Sequence, residues 1–525
     1  MTPVNAARLS RIGRSLAEIA WAAALITLPI TSFAPFANTL GSTVAPLAAL
    51  PIFLLLIGWL LPHLLRSAAL PRETFLVFIF ILAALLSSGA GFLLSSGDFE
   101  GQSILGRELR AFFTLGIGLA FYLLFAAWNN DTPRLQATWR WLSIGGMLAL
   151  GWALLQAYFI VVEKRLYPPW LENLQDLFLL KIPHASSRGL RIDGLAYEPS
   201  WFAHQMVMLY LPLWLAATYL KTSAFKFRLW RFSIENLLLL PSVFVFFLAQ
   251  PRVSMLSLLL ILVFLFVKIN LAIYRWLVRR ILGTARFSRS GAQVATVRRL
   301  TAAATLLGML TIYLATLVGA VYLASRLDWR VQLLLDYPPS LLEIWALLTL
   351  NETALLNFSF RLAFMERVVY WVTGWHIFQQ YPWLGVGLGN AGFHFLENIP
   401  SIGYSSWEVR GLLYHLPYLP NIKSLWVRLL AETGVVGFSV FLTWFYLQIH
   451  SAWVSLRNLQ PALKTLAMAS LLGLIAFIAE GFSLDSFAMP YLWVCAGLAS
   501  AVGMIYRRQW RQKLREEEDH EPTSG

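Results

Sequence analysis

The chain has few charged residues and a single cysteine. Of its 525 residues, 58% are hydrophobic and only 13% are charged, whereas soluble domains carry about 25% charged residues. The single cysteine, Cys495, lies inside an apolar run. Because the chain has only one cysteine, an intramolecular disulfide and a cysteine-rich metal site are excluded. No repeat of about 20–50 residues is apparent. The basic N-terminal stretch has no small-residue cleavage site after it, so we expect an uncleaved first span.

Apolar runs of about 20 residues recur along the whole chain, and this pattern is typical of transmembrane helices. The sequence therefore predicts an all-α integral membrane protein with about twelve transmembrane helices. The predicted spans are about 15–35, 44–62, 73–94, 109–128, 141–162, 199–220, 235–249, 253–272, 301–325, 425–447, 465–480 and 487–506.

The net charge of +14 follows the pattern of membrane topology and does not indicate nucleic-acid binding. Basic residues concentrate at 221–231, at 274–299 and after 506, whereas the loops near 36–43 and 481–486 contain no Lys or Arg. Because cytoplasmic loops are enriched in Lys and Arg, we expect a multi-pass protein of the bacterial inner membrane with both termini in the cytoplasm.

The spacing of the spans predicts four regions. A large external loop separates spans 9 and 10, and it has helical apolar patterns near 341–350 and 363–379, the first at the membrane interface. The acidic end of the tail is expected to be disordered. The regions are 1–325 (spans 1–9, with an external loop at 163–198), 326–424 (the large loop), 425–506 (spans 10–12) and 507–525 (the tail).

An arginine stands between two apolar runs in Ala249-Gln250-Pro251-Arg252. Merging the two runs into one span would place the basic segments 221–231 and 274–299 on opposite sides, so we expect two helices with a turn at Pro251-Arg252. An arginine at hydrocarbon depth is costly and therefore indicates a functional site.

The external loop at 163–198 breaks the charge rule, because it carries several cations. Either orientation is set elsewhere and the loop is tolerated, or some of these cations bind an anion outside the membrane. The cations are Lys164, Arg165, Lys181, Arg188 and Arg191.

Glycines occupy alternate positions in Pro382-Trp-Leu-Gly385-Val-Gly387-Leu-Gly389-Asn390. A dinucleotide-binding loop needs a preceding strand and a βαβ unit, and the sequence offers neither. The simpler interpretation is a tight turn after a helix that ends near Gln380.

Four motifs and one further arginine, in this order along the chain, carry a family resemblance. Arg191-Ile-Asp-Gly-Leu-Ala-Tyr-Glu198-Pro-Ser200-Trp-Phe-Ala comes first, and Arg252 follows a short apolar span. Arg367-Val-Val-Tyr-Trp then precedes the glycine segment, and Leu-Ala-Glu432-Thr-Gly-Val-Val-Gly opens a span. Together, over roughly residues 190–440, these motifs resemble the superfamily of O-antigen ligases and polymerases.

The resemblance implies an enzyme that joins lipid-linked glycans on the outer face of the inner membrane. Glu198-Pro199-Ser200 is closer to the polysaccharide polymerases than to the lipid A-core ligases. The ligases carry a His-Asn pair just before the Leu-Ala-Glu helix, and in this chain Lys423-Ser424 holds that place. The expected function is polymerisation of undecaprenyl-diphosphate-linked repeat units for O-antigen or exopolysaccharide. A ligase is the alternative within the family, and a lipid-linked oligosaccharide flippase is the alternative from another class.

The resemblance and the residue chemistry together suggest roles. Arginine binds a diphosphate bidentately, and an acceptor hydroxyl needs a base within reach. Each acid also has a structural interpretation: Glu432 as an ion-pair partner of Arg428, and Glu198 as a helix N-terminal residue. Candidate catalytic residues are Glu198, His415 and Glu432; candidate diphosphate-binding or substrate-binding residues are Arg191, Arg252, Arg367 and Lys423; Gly385, Gly387 and Gly389 form a structural motif.

The sequence contains no Asp-x-Asp motif, and neither His394 nor His415 has a second histidine at ligand spacing, so both are expected to be ordinary polar loop residues. We therefore expect no metal and no cofactor. The expected partners are an undecaprenyl-diphosphate-linked glycan donor, a glycan acceptor, the lipid bilayer and other polysaccharide export proteins, with no nucleic acid.

Overall fold

The computed structural model describes most of the chain. The described residues are 3–40, 42–66, 70–94, 101–163, 168–180, 191–250, 252–284, 291–327, 329–362, 364–415, 419–458 and 460–520.

The described chain is almost entirely helical, with one two-stranded antiparallel hairpin formed by β1 (Arg228–Leu229) and β2 (Phe232–Ser233). Helices α3, α6 and α8 each contain a π-helical turn, at Leu56–Leu60, Tyr158–Val162 and Met206–Tyr210. In chain order the helices are α1 (Pro3–Thr27), α2 (Ala34–Leu40), α3 (Ala49–Leu65), α4 (Thr74–Leu94), α5 (Ile104–Trp128), α6 (Thr132–Val162), α7 (Pro169–Asp176), α8 (199–220), α9 (Ile234–Leu248), α10 (Arg252–Thr284), α11 (Gly291–Leu327), α12 (Trp329–Asp336), α13 (Leu341–Leu348), α14 (Glu352–Arg361), α15 (Met365–Gln380), α16 (Trp407–Tyr414), α17 (Leu425–Ser455), α18 (Pro461–Glu480) and α19 (Pro490–His520).

Seven of the described helices are long and apolar enough to cross a membrane, which fits a multi-pass, all-α membrane protein. Two shorter apolar helices, α3 and α9, accompany them. The seven segments are Thr74–Leu93, Ile104–Trp128, Thr132–Val162, Arg252–Leu277, Val294–Ala315, Leu425–Ser455 and Pro461–Glu480.

The chain divides into two compact units. The first contains residues 1–258, 373–398 and 417–525, and the second contains residues 259–372 and 399–416. Helices α10 and α15 therefore contribute one part to each unit.

In the first unit, α5 packs on α19, α17 packs on α4 and α19, and α18 packs on α8 and α19. A buried polar chain ties four of these helices together. Tyr122 Oη lies 3.3 Å from Thr74 Oγ1 and 3.0 Å from Ser500 Oγ, and the side-chain amide of Gln448 lies 2.7 Å from Ser500 Oγ. Such interhelical hydrogen bonds satisfy polar groups that lipid cannot satisfy.

In the second unit, short helices occupy much of the segment predicted as a large loop. The patterns near 341–350 and 363–379 are helices, as expected, and α12, α14 and α16 are further helices that the apolar pattern does not indicate. Arg361 of α14 pairs with Glu343 of α13. Tyr370 on α15 donates a 3.1 Å hydrogen bond to Glu408 on α16.

The prediction of a disordered acidic tail is wrong for the described residues, because α19 continues to His520. In the last turns of α19 the basic residues precede the acidic residues. Lys513 Nζ lies 3.7 Å from Glu517 Oε1, at the i,i+4 spacing. Pairs at this spacing stabilise a helix by about 0.2–0.5 kcal/mol each, and the tail extends a helix that packing has already started.

Candidate functional site

A break in helix α17 organises one end of the first unit. Gly434 has φ 61° and ψ −168°, which interrupts the helix near its N-terminus. The glycine segment binds the backbone groups that this break releases. Val386 N–H and Gly387 N–H donate to the carbonyls of Ala431 and Glu432 at 3.0 Å each, and Val435 N–H donates to Pro382 O at 2.8 Å. The loop and the broken helix therefore form one hydrogen-bonded structure.

The three glycines of this segment have positive φ, at 67°, 95° and 92°. A Cβ on Gly385 would meet the backbone of α17, and one on Gly389 would meet Ala111 and the backbone of Arg107. The turn begins directly after α15 ends at Gln380, as the sequence predicts. The positions need glycine for backbone conformation and close approach, which fits the predicted structural motif.

Glu432 lies two residues before the break and forms a buried ion pair with Arg428. Arg428 Nε donates to Glu432 Oε2 at 2.9 Å, and the two residues are 7% and 2% exposed. Arg428 also donates to Asp485 O at 2.5 Å and lies over the Phe487 ring at 5.3 Å. The structural interpretation of Glu432 is thus confirmed, and its place beside the glycine turn is compatible with a further chemical role.

Arg107 is a member of this site that the sequence motifs do not indicate. It lies in the first turn of α5, is half-buried, and interacts electrostatically with Arg428 and Glu432. Its Nε is buried and makes no hydrogen bond to any part of the chain that the structure describes. One sequence feature could have indicated Arg107: it stands at the edge of an apolar run, and intramembrane cations mark functional sites. The mildly acidic loop before it makes that feature less evident.

Arg191 and the start of α10 lie together. The Arg191 guanidinium donates to Ala249 O from Nε at 3.0 Å and from Nη2 at 2.9 Å, and Nη2 also lies 3.2 Å from Gln250 O. It therefore satisfies carbonyls released where α9 ends. Arg252 is exposed and begins α10, within three residues of those carbonyls. The two helices predicted around Arg252 are present; Pro251 lies outside the described residues.

The segment carrying Arg191 is anchored by a buried carboxylate. Asp193 is 0% exposed and accepts from Gln156 Nε2 at 2.7 Å and from Gln175 Nε2 at 3.3 Å. Gly194 N–H donates to Gln156 Oε1 at 2.8 Å. These bonds fix the backbone next to Arg191, so Asp193 positions the arginine, a role that the sequence pattern does not indicate.

Glu198 stands at the N-terminus of α8, as expected, and accepts a 3.0 Å hydrogen bond from Ser200 Oγ. One turn further along α8, buried His204 contacts buried Glu480 at the end of α18. The next residue, Gly481, accepts from Ser424 Oγ at 3.2 Å and from Leu425 N–H at 2.7 Å. The start of α8 and the start of α17 thus meet through the end of α18.

Lys423 precedes α17 with φ 53°, and Ser424 caps the helix by accepting from Val427 N–H at 3.4 Å. The nearby Asn421 donates to Asp485 Oδ2 at 3.1 Å. Lys423-Ser424 therefore builds the helix start, and the neighbouring polar contact comes from Asn421.

The remaining sequence-predicted residues lie in the second unit. Arg367 is on α15 near Tyr370, whose pKa is raised by burial and by Glu408. His415 is exposed and closes α16 through its backbone N–H. The convergence of Arg191, Arg252 and Arg367 in one cavity stays a prediction. Lys164, Arg165, Lys181 and Arg188 lie outside the described residues.

Among the residues that the structure describes, no group of three or more His, Cys, Asp and Glu side chains could hold a metal ion. The half-buried His394 has a pKa lowered by burial, and its ring lies 5.4 Å from that of Tyr381. The charged groups gathered around the glycine turn are instead arginines and single carboxylates.

The sequence matches no protein-family model and no curated protein. The fold and the apolar helices define the chain as a multi-pass helical membrane protein.

Proposed function

We propose that the chain is an inner-membrane glycosyltransferase that polymerises undecaprenyl-diphosphate-linked oligosaccharide repeat units on the outer face. The observation that carries the proposal is the pairing of Arg191 with the backbone that leads into Arg252. Two guanidinium-bearing segments held together suit a diphosphate leaving group, because arginine offers a fixed fork of donors to phosphate oxygens. We further propose twelve spans, cytoplasmic termini and an external segment at 326–424.

The chemistry is a single inverting displacement. An acceptor hydroxyl attacks the anomeric carbon of the donor, its proton passes to a carboxylate, and the bond from the anomeric carbon to the diphosphate oxygen breaks. Glu198, hydrogen-bonded to Ser200, and Glu432, beside the glycine turn, are the candidate bases in the first unit. Negative charge develops on the departing lipid diphosphate, where fixed cations lower the barrier.

A flippase is the alternative from another class, and it would place its polar groups near the middle of the membrane. Three arginines of the first unit lie instead at helix ends: Arg107 in the first turn of α5, Arg252 at the first residue of α10 and Arg428 in the first turn of α17. That placement favours chemistry at the membrane surface over passage through it.

Deletion of the gene distinguishes polymerase from ligase. We expect single lipid-linked repeat units to accumulate, because units are still made and exported but not joined. The measurement is the length distribution of the lipid-linked glycans, compared with the same strain carrying the gene on a plasmid. Accumulation of full-length lipid-linked polymer in the deletion strain would identify a ligase. A flippase would be favoured if the purified protein in vesicles moved repeat units across the bilayer without lengthening them.

We expect polymerisation by the purified protein to proceed in EDTA at the rate seen with Mg²⁺, since arginines take the role that a metal ion has in other diphosphate chemistry. The assay is polymer length on a gel after incubation with lipid-linked repeat units. Activity that EDTA abolishes and that Mg²⁺ or Mn²⁺ restores would contradict the prediction.

A further inference from the structure

We infer that Arg107 and Arg428 form a second diphosphate-binding place, that is, a second binding site, and that it holds the lipid diphosphate of the acceptor. The donor's diphosphate is held by the Arg191–Arg252 segment, by which we mean Arg191, the carbonyls of Ala249 and Gln250 that it contacts, and Arg252. The inference rests on the proposed function. A polymerase joins two lipid-linked glycans, so two lipid diphosphates are present at once, separated by at least the acceptor's sugars. Two separate cationic places are therefore needed.

Arg107 and Arg428 are two cations that lie close enough to interact electrostatically in a partly buried environment. Arg107 interacts electrostatically with Arg428, Arg110 and Glu432. The two other carboxylates nearby are occupied by amides, since Glu108 accepts from Asn390 at 2.8 Å and Asp485 accepts from Asn421 at 3.1 Å. Arg428 is paired with Glu432, whereas Arg107 makes no ion pair within the part of the chain that the structure describes, and two like charges in a medium of low dielectric repel each other. A bound diphosphate would remove that repulsion.

The hydrogen-bonding capacity at this place also favours an anion. Arg107 Nε is buried without a hydrogen bond to the described residues, and leaving a buried donor unsatisfied is energetically costly. Phosphate oxygens are acceptors that would take this Nε–H together with an Nη–H of the same guanidinium, as a bidentate pair. Arg428, by contrast, is oriented by Glu432, by Asp485 O and by the Phe487 ring. One arginine is fixed and the other has donor capacity available, which suits a ligand that enters and leaves.

The two places lie on different helices of the first unit. Arg107 belongs to α5, which packs on α19, α3 and α4, whereas the Arg191–Arg252 segment follows α9, which packs on α8 and α6. The contact between His204 and Glu480 and the bond between Arg428 and Asp485 link the two helix groups through α18 and the turn after it. With this assignment Glu198, on the α8 side of the link, is the candidate base, because Glu432 lies beside the acceptor's diphosphate and the acceptor's sugars separate that diphosphate from the attacking hydroxyl.

The test counts bound undecaprenyl diphosphate per chain by native mass spectrometry, with the full-length protein in nanodiscs of neutral phosphatidylcholine. We expect two molecules on the wild type, one on Arg107→Gln, one on Arg252→Gln and none on the double variant. Arg228→Gln is the control, because Arg228 is an exposed arginine on β1 of the same unit and is not among the charges that act on Arg107; this variant should bind two.

Glu432→Gln gives a readout of opposite sign. Removing this carboxylate should tighten the Arg107-dependent binding about tenfold, because the repulsion of the diphosphate is lost. A purely structural role of Arg107 would not produce that gain. Arg107→Lys keeps the charge and should still bind two molecules, one of them more weakly; this variant remains informative if Arg107→Gln does not fold.

The outcomes separate the inference from the proposed function. Two molecules on Arg107→Gln, or a wild type that binds one molecule through Arg252 alone, would overturn the second place and leave the proposed function standing. A wild type that binds none would count against the proposed function itself. In nanodiscs containing phosphatidylglycerol, displacement of the Arg107-dependent molecule would identify an ordinary anionic-lipid site and overturn the inference.

Discussion

Replacing Gly434 with alanine should prevent the protein from reaching its folded state in useful yield. Gly434 has φ 61° and ψ −168°, where a side chain costs about 1–3 kcal/mol. In addition, a Cβ there would overlap the carbonyl group of Trp383, and overpacking adds about 1–3 kcal/mol. The measurements are the yield of monodisperse protein, from size-exclusion chromatography of a fluorescent fusion, and the thermal unfolding temperature in detergent.

The matched control is Gly116→Ala in α5, where a Cβ meets no atom within 4 Å. That variant should be neutral or slightly stabilised, because alanine is a better helix former by about 0.5–1 kcal/mol. Equal unfolding temperatures for Gly434→Ala and the wild type would mean that the break in α17 does not depend on glycine.

Arg252→Lys should lose nearly as much activity as Arg252→Ala, about 100-fold or more by analogy with the loss of one preorganised donor in other active sites. Lysine keeps the charge but lacks the planar fork that binds a diphosphate bidentately. The assay is polymer length and rate on purified protein, with membrane insertion and thermal unfolding measured in parallel.

Arg361→Lys is a suitable control for this substitution, because Arg361 is an exposed arginine paired with Glu343 in the second unit. It should retain wild-type activity. Full activity in Arg252→Lys would show that a positive charge suffices at this position, and the bidentate model of the leaving group would then be wrong.

Most of the helices could be predicted from apolar runs, since length and composition fix a membrane helix with little help from its neighbours. The break at Gly434 could not, because it lies within an apolar helical pattern and depends on backbone bonds from residues 382–387. Arg107 was missed for a similar reason: its significance comes from Arg428, far away in the sequence.

The site residues were predictable only in part. Glu432 and Arg428 stand at the i,i+4 spacing, so their ion pair follows from helix geometry. The anchoring of Arg191 by the end of α9, and of its neighbour Asp193 by Gln156 and Gln175, joins segments that no local pattern connects.

The hydrogen bonds across the break in α17 also have a consequence for the order of assembly during synthesis. Within the described residues, the bonds that bridge the break come from segments that precede it, namely Pro382 to Gly387 and Ser87, whose hydroxyl lies 2.5 Å from Glu432 O. The hydrogen bonds across the break can therefore form as soon as α17 leaves the ribosome. Asp485, which orients Arg428, is made later, so the scaffold of the glycine turn can form before its arginine is held in place.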